Sequence, residues 1–238
     1  GATSSATCIP VPAGTYSTTV AATTAAVAID CVAGRYNPLT GQSTSAACLL
    51  TAAGRFSLAG ASQETPCVAG TFNDSQGQSA CQQSPLGSYV GAPGQSVAIL
   101  CSTGQFADVM GLSACNLAPA GSYVNVTGAV NPTQCDAGTF QALAGQSTCG
   151  AVPAGSFSNP GAVEATPCGL GTYSAAGGQS VCDAAPLGRF VGQAGRSFAS
   201  DCTVGTYADV TGLTACKPAP AGSFVSTTAA ATSTPCDA

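Results

Sequence analysis

The side chains in this sequence most able to do chemistry are its fourteen cysteines, set in a chain of 238 residues. His is absent, which removes the commonest general base and the commonest nitrogen ligand for a metal. The ten Asp and Glu residues are scattered along the chain rather than paired, a poor arrangement for acid–base hydrolysis. No C-x-x-C occurs and no four potential ligands cluster locally, which argues against zinc. The sequence therefore predicts no enzyme, no catalytic residue, no cofactor and no metal site. What remains is disulfide chemistry, which requires an oxidising compartment and so an extracellular or cell-surface location.

Two further positions invite covalent modification. Asn73-Asp-Ser75 and Asn125-Val-Thr127 are N-glycosylation sequons, and Asn131-Pro-Thr133 is blocked by its proline. Runs of Thr, Ser, Ala and Pro from Ser17 to Thr24 and from Ser226 to Pro235 read as O-glycan acceptors or as plain loop composition. Five basic residues against ten acidic ones disfavour nucleic acid and anionic membranes as partners. No apolar run approaches the roughly 18 residues of a membrane span. The start at Gly1-Ala2 reads as a mature or excised piece.

The elements that must hold these cysteines are unusual in composition. Charged residues make up 6% of the chain, against about 25% in ordinary domains. The hydrophobic fraction is 45%, mostly Ala and Val with Cys added. Large core-forming side chains are few, so cross-links must replace a thick core.

The organisation is a tandem repeat. Thirteen of the fourteen Phe and Tyr residues share one register, from Tyr16 to Phe224. The steps from Tyr16 to Tyr36 to Phe56 are the longest. From Phe72 onward, through Tyr89, Phe106 and Tyr123, the step is nearly constant. A glycine lies two residues before each of these aromatics. Alternate units carry a cysteine five residues before the aromatic and another nine after it, as at Cys67 and Cys81 around Phe72. The intervening units lack both, and Ala185 and Ala199 stand at those places around Phe190. Most of them carry a proline four residues before the aromatic instead, such as Pro85 and Pro119. The full repeat, Cys67 to Cys101 to Cys135, is thus about 34 residues, within the range that marks repeat architectures. A longer period of 101 residues maps Cys67 on Cys168 and Ser84-Pro-Leu-Gly-Ser-Tyr89 on Ala185-Pro-Leu-Gly-Arg-Phe190.

A period of about 34 residues is also that of a helical hairpin repeat. Glycine in every half-repeat, proline in alternate halves and abundant Thr and Ser exclude helices. Short runs such as Gly70-Thr-Phe72 and Gly121-Ser-Tyr-Val124 read as brief strands between turns. The expected fold is small, disulfide-rich and mainly β or irregular. It is an elongated solenoid of half-repeats of about 17 residues. Residues 1–66 form divergent N-terminal repeats, 67–134 regular repeats, and 135–238 a second regular block. Each glycine should adopt a backbone conformation closed to other residues or allow close chain approach. The aromatics should stack into a thin apolar spine, with a row of sugar or peptide contacts as the functional alternative.

Two disulfide schemes are open. The favoured one pairs within each cysteine-bearing unit: Cys31–Cys48, Cys67–Cys81, Cys101–Cys115, Cys135–Cys149, Cys168–Cys182 and Cys202–Cys216. It explains why the other units lack both cysteines together, and it leaves Cys8 and Cys236 for inter-subunit bonds. The rival pairs Cys8–Cys31, Cys48–Cys67 and onward to Cys216–Cys236, leaving none over.

Cys67-Val-Ala-Gly-Thr-Phe72 with Gly77-Gln-Ser-Ala-Cys81, and Cys135-Asp-Ala-Gly-Thr-Phe140 with Gly145-Gln-Ser-Thr-Cys149, resemble the ephrin-receptor-like cysteine-rich repeats. That family reads roughly Cys-Pro-x-Gly-Thr-Tyr and then Gly-x-x-x-Cys, and the resemblance covers nearly the whole chain. The first module of tumour-necrosis-factor-receptor repeats is similar too, and its pairing resembles the favoured scheme. The family's adjacent C-x-x-C is missing here, and alternate units have lost two cysteines. The resemblance implies a long surface protein, such as those of flagellar hairs (mastigonemes).

Three function classes follow. Regular length, a higher-order period and the absence of special residues favour a structural subunit of an extracellular filament, glycosylated and joined head to tail with other copies or fibre proteins. A rigid cysteine-rich stalk of a receptor or adhesin is the alternative. A hydrolytic enzyme comes last. Cys8 reads as the second cysteine of a unit begun upstream, and Cys236 as the first cysteine of one continued downstream. Both ends therefore read as open half-motifs.

Overall fold

The structure is a computed structural model, and it describes residues 9–19 and 27–237. The chain divides into two compact units. One comprises Gly1–Ser102, Phe106–Asn116 and Thr127–Asn131; the other comprises Thr103–Gln105, Leu117–Val126 and Pro132–Ala238.

Among the described residues the repeating element is a two-stranded antiparallel hairpin, and thirteen occur. They run from Thr15–Tyr16 paired with Ile29–Asp30 to Ser223–Phe224 paired with Thr234–Pro235. Each first strand is the repeat aromatic and the residue before it. Each return strand lies just ahead of the next Gly-x-aromatic, as in Tyr89↔Ile99 and Ser88↔Leu100. The brief strands expected over Gly70-Thr-Phe72 and Gly121-Ser-Tyr-Val124 are Thr71–Phe72 and Ser122–Tyr123. Strands stop at two residues because a turn precedes each aromatic and a loop, in most hairpins a glycine-containing one, follows it. In the turn before Phe72, the Thr71 N–H donates to the Val68 carbonyl at 2.9 Å. Gly70 at its third position has φ +86°, which a type II turn requires of that position.

Successive hairpins stack through backbone hydrogen bonds that follow the repeat. In the first unit, Gly70 N–H donates to Val90 O at 2.8 Å, Val90 N–H to Leu112 O at 3.0 Å, Ser84 N–H to Gly70 O at 2.9 Å and Gly94 N–H to Cys67 O at 2.8 Å. The second unit repeats all four bonds with every residue number raised by 101: Gly171 to Val191, Val191 to Leu213, Ala185 to Gly171, and Gly195 to Cys168. The long period of the sequence is thus a period of the hydrogen-bond ladder. A Cβ on Gly70 would overlap the carbonyl oxygen of Gly111, two hairpins further along the chain. The glycine therefore serves both purposes expected of it, positive φ and close approach.

The core differs from the expected aromatic spine. Most repeat aromatics are only half-buried, and Phe224 is 47% exposed. Most of the buried side chains lie five residues before or one residue after an aromatic. The first column includes Cys31, Cys67, Cys101, Val152 and Ala185, and the second includes Ser57, Val90, Ala107, Val124 and Val191. The cause is strand alternation: neighbouring residues face opposite sides. The residue after the aromatic turns inward between hairpins, where stacked backbones leave room only for small side chains. The aromatic turns outward over the surface. The fold is a small, disulfide-rich, mainly-β tandem repeat, as the spacing predicts.

Candidate functional site

The disulfides follow the within-unit scheme. Cys31–Cys48 spans 17 residues, and Cys67–Cys81, Cys101–Cys115, Cys135–Cys149, Cys168–Cys182 and Cys202–Cys216 span 14 each. Their Cα–Cα distances of 5.6–5.8 Å fall in the usual range of about 4.4–6.8 Å. The first cysteine of each pair belongs to the buried column, and the second lies half-buried beside the return strand in the five shorter bridges. Each bond closes one hairpin across its root. The rival scheme, which joins neighbouring units, is not the one formed. Six such bonds require an oxidising environment for folding. Cys236 is exposed and carries a free thiol; Cys8 lies outside the described residues.

Hairpins without cysteines fill the same two positions differently. Around Phe190, Ala185 and Ala199 are both buried and pack with Val191, against Tyr173. A small apolar cluster thus occupies the place of a sulfur bridge. The residue before the aromatic has its own task, which the spacing did not reveal. The hydroxyls of Thr15, Thr71, Ser88, Ser122, Thr139, Thr172 and Thr206 donate to the carbonyl three residues back, at 2.7–2.9 Å. That carbonyl also accepts the turn's backbone N–H. The prevalence of Thr and Ser there, the one readable signal, is turn chemistry.

The two sequons part company. Asn73 follows Phe72 directly, so it faces the core and is fully buried. Its Nδ2 donates to the Arg55 carbonyl at 2.9 Å. Asn37 makes the equivalent bond to the Thr15 carbonyl at 2.8 Å. In the folded chain this side chain is a structural link between hairpins, with its nitrogen buried and bonded. Asn125 stands two residues after Tyr123 and is exposed. Between them Val124 is buried, 3% exposed.

Asn125 lines a cleft of about 310 Å³ with Tyr123, Asp136, Thr139, Ser147, Thr148 and Cys149. A second cleft of about 330 Å³ has Tyr16 and Cys48 among its lining residues. Each pairs the aromatic of a cysteine-free hairpin with the disulfide of the following one. Electrostatics are sparse. Lys217 Nζ lies 2.7 Å from Asp209 Oδ1, and that hydrogen bond holds the Asp209 carboxyl below its usual pKa and the Lys217 amine above its own. The Asp209 contribution is present above the ordinary carboxylate pKa and lost as pH falls through its folded value. The Lys217 contribution is present below the ordinary amine pKa and lost as pH rises through its folded value. Both groups are solvated, so the pair matters little to stability.

Among the described residues no helix is long and apolar enough to cross a membrane. No protein-family model matches the chain, and no curated protein matches it.

Proposed function

We propose that the protein is a structural subunit of an extracellular filament, with no catalytic role. The observation that carries this reading is the surface. Large apolar side chains stand exposed around the stacked hairpins, among them Val32, Leu58, Val68, Leu100, Met110, Leu143, Val181 and Val204, each 60–67% exposed. The chain carries 6% charged residues to keep such a surface apart in water. Apolar exposure on this scale with little charge favours association or a covering layer. Lateral and end-to-end contacts with further copies, together with glycans, supply both. Cys236 is exposed and carries a free thiol, and a bond from it to Cys8 of a neighbouring copy would make the end-to-end contact covalent.

Electron microscopy of native material, with non-reducing electrophoresis of the same sample, tests the proposal. Filaments are expected, with a ladder of covalent multimers that collapses on reduction and is lost in Cys236→Ser. A monodisperse monomer at every concentration, without filaments, would overturn it and favour the stalk of a receptor or adhesin.

A further inference from the structure

We infer that Asn125 carries an N-linked glycan whose first sugar packs on the ring of Tyr123, in the cleft walled by the Cys135–Cys149 bridge, as a working part of the fold. The argument is independent of the filament reading; it needs only passage through a secretory route that forms disulfides.

Position within the repeat separates the two sequons. The residue immediately after an aromatic faces inward, and Asn73 occupies that place. The second residue after an aromatic faces the same side as the ring, because alternate side chains along extended backbone share a face. Asn125 occupies this second place. Buried Val124, whose N–H donates to Gln146 O at 3.0 Å, fixes the alternation. Tyr123 and Asn125 consequently line one cleft. Among the described residues the Asn125 side chain has no hydrogen-bond partner, so its nitrogen is open to substitution.

The cleft suits a sugar ring. Its volume of about 310 Å³ lies at the small end of ligand clefts, which run to roughly 300–1,000 Å³. Tyr123 lines it, and an aromatic ring takes the axial C–H bonds of a pyranose on its apolar face. Asp136, Thr139, Ser147 and Thr148 line it as well. Thr139 Oγ1 already donates to the Asp136 carbonyl at 2.7 Å, which leaves its lone pairs to accept from a sugar hydroxyl. In a chain that lacks large core residues, a sugar clamped on Tyr123 and the adjoining bridge adds buried apolar surface that the polypeptide does not supply.

The transfer balances with a polyprenyl-pyrophosphate-linked oligosaccharide as donor. A bond forms between Asn125 Nδ2 and the anomeric carbon of the first N-acetylglucosamine. The bond from that carbon to the phosphate oxygen breaks, the lipid pyrophosphate leaves, and the displaced amide proton passes to solvent. No oxidant or reductant is needed.

The test uses the full chain, secreted from a eukaryotic host restricted to high-mannose glycans. Peptide mapping is expected to show a glycan on Asn125 and none on Asn73. Trimming with an endoglycosidase that leaves one N-acetylglucosamine should preserve the melting midpoint. The unglycosylated Thr127→Ala variant should melt lower by about 2–4 °C. In a Tyr123→Ala background the glycosylated and unglycosylated forms should melt together, whereas Tyr123→Phe should keep the difference. If Tyr123→Ala does not fold, nuclear Overhauser contacts between the Tyr123 ring and the N-acetyl methyl of the singly sugared protein decide the matter; their presence supports the inference. An unoccupied Asn125, a glycan on Asn73, a stability difference that survives Tyr123→Ala, or the absence of those contacts would each overturn it.

Discussion

At the scale of single residues, identity is set by how closely the next hairpins approach. Gly70 and Gly178 both have positive φ, +86° and +78°. A Cβ at Gly70 would overlap Gly111, whereas a Cβ at Gly178 meets nothing within 4 Å. The two positions therefore separate the conformational cost of a side chain from the cost of close packing. Gly178→Ala should lose about 1–2 kcal/mol, the penalty of a left-handed backbone for an L-residue. Gly70→Ala should lose about 1–3 kcal/mol more, because stacked backbone must move aside. Guanidinium unfolding with the disulfides intact measures both. Equal losses would show that the glycines serve backbone conformation alone.

At the scale of the hairpin, the question is how one scaffold accepts two kinds of root. Cysteine-bearing hairpins close theirs with a bond, and the hairpin of Phe190 closes its root with Ala185 and Ala199, both buried. These alanines are 14 residues apart in sequence, the separation of five of the six bridges. If the two roots are equivalent, Ala185→Cys with Ala199→Cys should form a seventh disulfide on oxidative folding, without disturbing Cys168–Cys182 or Cys202–Cys216. The ring-closure model puts the gain at about 3 kcal/mol. Peptide mapping under non-reducing conditions and unfolding of the oxidised variant provide the readout. Free thiols or scrambled bridges in the variant would mean that the alanine root has a geometry of its own.

At the scale of the molecule, stability rests on repetition and covalent bonds. The largest fully buried side chains include Val90, Val152, Val191 and six half-cystines, a supply of apolar surface too thin for a single core. Hairpins are instead pinned one by one, each to the next. The oxidised protein should therefore resist protease and heat, and should lose both properties on reduction as the root bonds open. Unfolding and limited proteolysis with and without reductant check this. Coincident curves would mean that the hydrogen-bond ladder holds the fold unaided.

How much of this could be read from the chain depends on whether the determining physics is local. The spacing of Gly-x-aromatic set the hairpins, and the paired loss of cysteines in alternate units pointed to the bonds that form. A turn and a small disulfide-closed ring are both short-range matters. The long period was legible for the same reason: identical local sequence makes identical local contacts. What lines the interior was not. Aromatics suggest a spine, yet the stack buries Ser57, Val90 and Ala107 and leaves the rings half outside. The distance between stacked backbones decides which side chain fits, and that distance exists only in three dimensions. The same decision separated Asn73 from Asn125. As sequons they are equivalent; one residue of offset from the aromatic buries the first and presents the second beside Tyr123. Only tertiary packing assigns an inside and an outside to strands two residues long.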